Sequence, residues 1–145
     1  MKSLVATRKN LMYVFLCSLI VQILLFFISS LLDITSYKNL TGLTTNILKI
    51  YSTHIAVIFS SFCIPKQKNI IVSSKTYYLS LTLALFWNML LLLRTITYFI
   101  DTTFLNNSQD TVNNVIVFHK DVSELSSFVI VGLIAYFFQS KEDQE

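Results

Sequence analysis

The sequence contains very little glycine and proline. Of its 145 residues only Gly42 and Gly132 are glycines, and Pro65 is the one proline. Glycine-rich loops, which let backbone amides approach a phosphate, are therefore excluded, and with them most nucleotide-binding motifs. Because sharp helix kinks usually arise at proline or glycine, we expect the helices to be mostly straight.

Cysteine and charge are also scarce. Cys17 and Cys63 each lie in an apolar segment, where thiols stay reduced and behave as small hydrophobic groups, so we expect no structural disulfide. Only 13% of the residues are charged, and the net charge is +3. The basic residues lie beside apolar segments and not in a run that would follow a phosphate backbone, so we expect no nucleic-acid partner.

Long apolar segments make up most of the chain. Its apolar content is 54% and its mean hydropathy is +0.63, more than is usual for a small soluble domain. A helix of about 20 apolar residues is enough to cross a bilayer. The sequence predicts four such spans, at about 11–32, 46–64, 77–100 and 121–139. We therefore predict an all-α bundle of four transmembrane helices, with residues 1–145 forming one integral membrane domain in the lipid bilayer and no soluble domain.

The basic residues are distributed unequally between the two predicted sides of the membrane. Seven Lys and Arg residues lie in the N-terminal segment, the loop from Lys66 to Lys75 and the tail, against two, Lys38 and Lys120, in the other loops. The positive-inside rule then predicts an N-in/C-in topology, with both termini in the cytoplasm. The heavy use of Ile, Asn, Lys and Ser is typical of AT-rich bacterial genes, which indicates a bacterial inner membrane. Lys66, Lys68 and Lys75 form a basic cytoplasmic surface that we predict to dock an acidic protein partner.

Arg94 is the only charge in the third predicted span. An unpaired arginine in hydrocarbon costs on the order of 3 kcal/mol or more, so lipid is an unfavourable neighbour for it. Trp87, Leu91, Arg94 and Tyr98 follow one another at spacings of four, three and four and share one helical face. We predict that this face contacts protein.

Further charges lie near the predicted outer side of the membrane. Glu124 lies about one turn inside the fourth span and is the favoured partner of Arg94, while Asp101, seven residues after Arg94, is the competing one. Lys49 and Asp101 occupy comparable outer levels of their spans, and Asp121 lies at the start of the fourth. We predict an intramembrane charge cluster of these five residues, with Arg94 and Glu124 acting as a bistable lock. In the alternative interpretations the pair only holds the bundle together, and the two acids of the fourth span only favour its first turn.

The second predicted span is the most polar of the four. Asn46, Lys49, Thr53 and Ser60 recur at helical spacing and form a stripe of small or polar side chains. Such a stripe either packs closely against another helix or lines a water-filled pore. His54, near the middle of this span, is either pH-sensitive, as in a proton relay, or neutral and hydrogen-bonded to its neighbours.

The segment from Asp101 to Lys120 is polar and rich in asparagine, and we predict an ordered outer loop there. His119 lies in this segment and is too isolated for a zinc site, which needs three or four ligands. No nucleophile elbow and no pair of acid and base at a useful spacing accompanies the many serines. We therefore predict that the protein is not an enzyme and has no catalytic residues, no metal and no cofactor.

Four spans, both termini inside and a short charged tail reading SKEDQE resemble the small phage-exclusion membrane proteins encoded by lambdoid prophages. The same outline resembles the four-span membrane subunit of the Kiwa antiphage system and the membrane accessory proteins of some CRISPR systems. These resemblances imply a membrane effector or sensor of antiphage defence. Such a component forms homo-oligomers and either perturbs the membrane or recruits a cytoplasmic partner.

Two other functions stay open. Leu48-Lys49-Ile50-Tyr51, followed by an apolar run and the basic loop, is similar to the membrane immunity proteins of pore-forming colicins. That resemblance implies a monomeric blocker that binds an incoming toxin helix within the bilayer. A small transporter or channel is the third possibility, although the sequence lacks a symmetric repeat with broken helices.

Overall fold

The computed structural model describes residues 2–32, 34–60, 71–104 and 112–138. Nearly all of them are helical, in α1 (Leu4–Leu31), α2 (Tyr37–Ser60), α3 (Ser74–Phe104) and α4 (Val112–Phe138). The other regular structure in these ranges is a two-residue antiparallel pairing of β1 (Lys2–Ser3) with β2 (Ile71–Val72). The predicted all-α fold is confirmed.

Within the described residues two helices, and not the predicted four, are long and apolar enough to cross a membrane. They are Val5–Leu31 of α1 and Ser74–Phe104, the whole of α3. In α2 the apolar pattern is interrupted by Lys38 and Lys49 and by many hydroxyl side chains. The side chains of α4 are described only as far as Leu125, and this part carries charges at positions 120, 121 and 124.

All four helices begin before the predicted spans, by about three residues for α3, seven for α1 and nine for α2 and α4. α2 begins at Tyr37 and not near position 46, and α4 begins at Val112 and not near position 121. Asparagine, threonine and glycine have low helix propensity, which is why both starts look like loops in the sequence. Tertiary burial outweighs that propensity, because Leu40, Leu43 and Val115 in these added turns are buried in the core.

The predicted outer loop from Asp101 to Lys120 is wrong at both ends. Asp101 lies in the last turn of α3, and Lys120 lies nine residues into the helix that starts at Val112. Asp121 and Glu124 are therefore well inside α4, and the alternative that they only favour its first turn is wrong. Residues 105–111 lie outside the described ranges.

The four helices pack as a ring in the order α1, α2, α4, α3. α1 packs against α2 and α3, and α4 packs against the same two helices. α1 and α3 start at the same end, where β1 pairs with β2 and Asn10 Nδ2 donates to Tyr77 Oη at 2.9 Å. We call this the strand end of the bundle. At the opposite end Thr35, just before α2, lies 3.3 Å from the Tyr98 hydroxyl near the end of α3.

An aromatic cluster occupies the centre of the ring. Phe15 of α1, Trp87 of α3, and Tyr51 and His54 of α2 lie with ring centroids 4.7–6.2 Å apart. All four side chains are buried. Aromatic pairs at such separations add about 0.5–1.5 kcal/mol beyond the area that they bury, so the cluster fixes how α1, α2 and α3 pack.

Candidate functional site

The outer surfaces of α1 and α3 are apolar. Only 22% of the residues in the most apolar stretch of α1 are buried inside the protein, and 33% of those in α3. The core helix of a soluble protein would bury most of such a stretch. The exposed side chains include large aliphatic and aromatic residues along both helices: Ile20, Leu24, Phe27, Leu85, Phe86, Met89, Leu93 and Ile96. We call this surface the apolar side.

The outer surfaces of α2 and α4 are mostly polar. The exposed polar side chains of α2 are Lys38, Asn39, Thr41, Thr45, Lys49, Ser52 and Thr53. Those of α4 are Asn113, Asn114, Lys120, Asp121 and Glu124. Some exposed apolar residues are interspersed among them: Tyr37, Leu48, Phe59, Val117, Phe118 and Leu125. We call this surface the polar side.

Three charges of the polar side lie at nearly the same height. α2 and α4 both run towards the strand end, and Ile116 Cδ1 lies 3.9 Å from the position that a Cβ of Gly42 would take. From this contact Lys49 is seven residues further along α2, while Asp121 and Glu124 are five and eight residues further along α4. At about 1.5 Å per residue, their Cα atoms lie within about 5 Å of one height.

The five charges predicted to form one cluster lie on three helices: Lys49 on α2, Arg94 and Asp101 on α3, and Asp121 and Glu124 on α4. Arg94 donates from Nη1 to Thr97 Oγ1 at 3.3 Å on α3, and Glu124 Oε1 forms an ion pair with Lys120 Nζ, 3.7 Å away, on α4. Asp101 is partly buried, whereas Lys49 and Asp121 are exposed. The Arg94–Glu124 lock stays a prediction.

The sequence predicted that the face of α3 with Arg94 contacts protein, and this is confirmed. Trp87, Leu91 and Tyr98 are all buried, and Arg94 is partly buried at the edge of this face.

The predicted stripe of α2 lies on the polar side and not in the core. Lys49 and Thr53 are exposed, and Asn46 is partly buried at the edge of a groove between α2 and α4 of about 640 Å³. The groove is lined by Tyr37, Lys38, Thr41, Gly42, Thr45, Asn46, Lys49 and Ile116. The side chain of Ser60 is not described. Close packing of this stripe would therefore need a partner beyond the bundle.

The predicted cytoplasmic docking surface is described only in part. Lys75 is exposed in the first turn of α3, at the strand end. Lys66 and Lys68 lie outside the described residues.

A buried chain of hydrogen-bonding side chains crosses the centre of the bundle, and the sequence analysis did not identify it. Tyr51 Oη of α2 donates to Asn88 Oδ1 of α3 at 2.7 Å and accepts from Gln22 Nε2 of α1 at 2.8 Å. Ser18 Oγ lies 2.9 Å from the same hydroxyl, and Asn88 Nδ2 donates to the Ala84 carbonyl oxygen at 2.7 Å. One tyrosine hydroxyl thus joins three helices.

The chain continues to the fourth helix through a threonine. Thr95 Oγ1 lies 3.5 Å from Gln22 Oε1, 3.1 Å from the Leu91 carbonyl oxygen and 3.4 Å from His119 Nε2. His119, predicted in a loop, is fully buried on α4. We call Ser18, Gln22, Tyr51, Asn88, Thr95 and His119 the buried polar chain.

The hydrogen bonds of His119 assign its neutral tautomer. Nε2 lies 3.2 Å from the Leu91 carbonyl oxygen, which can only accept. A neutral His119 must therefore carry its proton on Nε2, so that Nδ1 is the acceptor. Nδ1 is buried and has no hydrogen-bond partner.

His54 is enclosed by aromatic rings. Its ring stacks on Phe15 at 5.5 Å and lies 4.7 Å from Trp87, centroid to centroid. Its Nδ1 lies 3.0 Å from the Ile50 carbonyl oxygen, one turn earlier on α2. This surrounding matches the hydrogen-bonded alternative for His54, while a pH-sensitive role stays untested.

A sequence signal for the buried polar chain existed. Gln22 and Asn88 are single amide residues inside otherwise apolar runs, and a polar group in such a run needs a protein partner. The buried polar chain links all four helices by hydrogen bonds. Among the described residues, no three His, Cys, Asp or Glu side chains come together as metal ligands would.

Comparisons with protein-family models, with curated proteins and with solved structures found no match. The apolar side and the polar side are therefore the features from which function is inferred.

Proposed function

We propose that this chain is a non-enzymatic membrane protein of the bacterial inner membrane and acts as the membrane effector or sensor of an antiphage defence system. The observation that supports membrane insertion is the apolar side. Soluble monomers rarely expose contiguous apolar patches larger than about 300–600 Å², because such patches associate in water. Lipid removes that cost, so α1 and α3 are most stable with their outer surfaces in a bilayer.

The charges favour one orientation for this bundle. Lys2, Arg8, Lys9 and Lys75 all lie at the strand end, near the starts of α1 and α3. By the positive-inside rule the strand end faces the cytoplasm and α1 runs outward. α2 and α4 then cross the membrane beside α1 and α3, giving the N-in/C-in bundle.

The proposed mode of action is assembly and not catalysis. A helical bundle with a lipid-facing side and a separate polar side is suited to lateral contact with another membrane protein. The basic strand end is suited to an acidic cytoplasmic partner. Lys75, together with Lys66 and Lys68 of the sequence prediction, is the proposed docking surface.

Membrane insertion is tested by fractionation. Cells expressing the chain are lysed, and membranes are washed with alkaline carbonate, which removes peripheral proteins. We expect the chain to stay in the pellet, and a maleimide that cannot cross membranes to label Lys75→Cys only after the membrane is opened. Release into the wash would contradict insertion, and labelling of intact cells would contradict the orientation.

The defence role is tested separately by plating a panel of phages on cells that carry the gene with its chromosomal neighbours. We expect at least one phage to plate about tenfold or more less efficiently than on cells carrying an empty vector. Equal plating of every phage would contradict the defence role and leave insertion unaffected.

Ion conduction is a second candidate function, favoured by charged residues of the polar side at mid-depth. Lys49 lies about 18 Å from the start of α2, measured along the helix at about 1.5 Å per residue. Charged residues at such depth often line water-filled paths. Purified protein in planar bilayers should then conduct, and Lys49→Glu should increase the cation preference. The absence of current would contradict this candidate.

A further inference from the structure

If the bundle is in a bilayer, the charges of the polar side must be shielded from lipid. The inference drawn from them therefore rests on the proposed membrane insertion. Lys49 lies about 18 Å along α2, near the middle of a hydrocarbon core about 30 Å thick. A lysine side chain reaches only about 6 Å, which is too short to bring its ammonium group to the membrane surface from there. Left in lipid, an ammonium group at that depth is strongly unfavourable.

The two helices of the polar side carry opposite charges at this depth. α2 has no acidic residue anywhere in Tyr37–Ser60, and Lys49 is exposed on its outer face. α4 exposes Asp121 and Glu124 at almost the same height, as the contact between Gly42 and Ile116 shows. Glu124 is already engaged by Lys120, which makes Asp121 the acid better placed for an outside partner.

A second copy in the same membrane has these charges at the same heights. Two copies in the same orientation are related by an axis along the membrane normal, so each residue keeps its depth in both. If α2 of one copy faces α4 of the other, Lys49 meets Asp121 of the other copy, and the two-fold axis forms the same contact twice. Thr45, Ser52 and Thr53 are small exposed side chains on the outer face of α2 and permit close approach.

We propose that the polar side is a homodimer interface in which α2 of each copy packs on α4 of its partner, with Lys49 opposite Asp121 of the other copy. The dimer buries Lys49, Asp121 and Glu124 in the interface and leaves the apolar sides of both copies facing lipid. Each copy thus supplies a carboxylate to Lys49 of the other copy and an ammonium group to its Asp121.

Charge reversal with native mass spectrometry in nanodiscs tests the contact. We expect the wild-type chain at twice its single-chain mass of 16.7 kDa. Lys49→Glu alone and Asp121→Lys alone should each shift at least half of the protein to the single-chain mass, because each places like charges together. The double variant should recover the dimer. Lys9→Glu, which reverses an exposed charge at the strand end, is the matched control and should leave the mass unchanged.

Disulfide cross-linking tests the same contact without relying on charge. In a background without the native cysteines, copies with Lys49→Cys and copies with Asp121→Cys carry different tags and are oxidised in the membrane. We expect a cross-linked dimer that contains both tags. The control pair, Leu24→Cys with Leu93→Cys on the apolar side, should give less than a tenth of that product.

The outcomes separate this inference from the function on which it rests. A wild-type chain that is inserted in membranes but has the single-chain mass overturns the interface and leaves the membrane function standing. A double variant that stays monomeric, or equal cross-linking on the apolar side, also overturns the interface. A chain released from membranes by alkaline carbonate overturns both.

Discussion

Replacing Tyr51 by phenylalanine is the sharpest test of the buried polar chain. The change removes one oxygen atom and keeps the ring that packs against Phe15 and Trp87. The hydroxyl of Tyr51 is in contact with Asn88, Gln22 and Ser18 at 2.7, 2.8 and 2.9 Å. Removing it leaves two buried amide groups without their partner.

The expected cost follows from these contacts. Hydrogen bonds between side chains contribute about 1 kcal/mol in water-soluble proteins and about 0.6 kcal/mol on average within membranes. Because Tyr51→Phe removes three such hydrogen bonds, we expect it to lower the free energy of unfolding by about 2–3 kcal/mol.

The free energy of unfolding can be measured by titrating the protein in mixed micelles with dodecyl sulfate and following helicity by circular dichroism. Tyr78→Phe is the matched control, because Tyr78 is a tyrosine of α3 that is 59% exposed. We expect this control to change stability by less than about 0.5 kcal/mol. If Tyr51→Phe and Tyr78→Phe have equal effects, the buried polar chain does not stabilise the bundle.

Two further substitutions test how the helices pack against one another. Gly42→Ala should raise the free energy of unfolding by about 0.5–1 kcal/mol, because Gly42 is inside α2 and the nearest heavy atom would lie 3.9 Å from the new Cβ, an ordinary contact. A destabilised Gly42→Ala variant would show that α2 and α4 pack more closely. Trp87→Ala should lower the free energy of unfolding by about 3–5 kcal/mol, since Trp87 is only 2% exposed in the aromatic cluster. Phe86→Ala, its neighbour that is 52% exposed, should lower it by less than a third as much in the same micelle titration, and equal losses would contradict the burial assigned to Trp87.

The sequence predicted α1 and α3 well because both are long and uniformly apolar. Length and hydropathy need no knowledge of tertiary contacts. The inward face of α3 could also be predicted, since Trp87, Leu91 and Tyr98 recur at helical spacing and are buried as expected.

The starts of α2 and α4 were missed because local propensity disagrees with packing there. The first turns of α2 read YKNLTGLTT, which resembles a loop, yet Leu40 and Leu43 are buried between neighbouring helices. His119 was placed in a loop for the same reason. Its burial depends on the contact between α4 and Leu91 of α3, and no local sequence pattern indicates that contact.

The buried polar chain shows a second limit. The sequence contains the signal that Gln22 and Asn88 are isolated polar residues in apolar runs. It does not show that both converge on the hydroxyl of Tyr51, because that convergence depends on the ring order of the helices. The stripe of α2 was recognised, but whether it faced the core or the outside was decided only by the packing of Ile47, Tyr51 and their neighbours.

Accessibility of spin labels in lipid vesicles tests the division into an apolar and a polar side most directly. Nitroxides are attached one at a time at Leu24 and Leu93 on the apolar side and at Thr45 and Thr53 on the polar side, and their relaxation by oxygen and by a water-soluble nickel chelate is compared. We predict that oxygen, which concentrates in lipid, relaxes the labels at Leu24 and Leu93 far more than the chelate does, and that this preference is lost at Thr45 and Thr53. Equal access of the chelate to all four positions would contradict insertion through the apolar side.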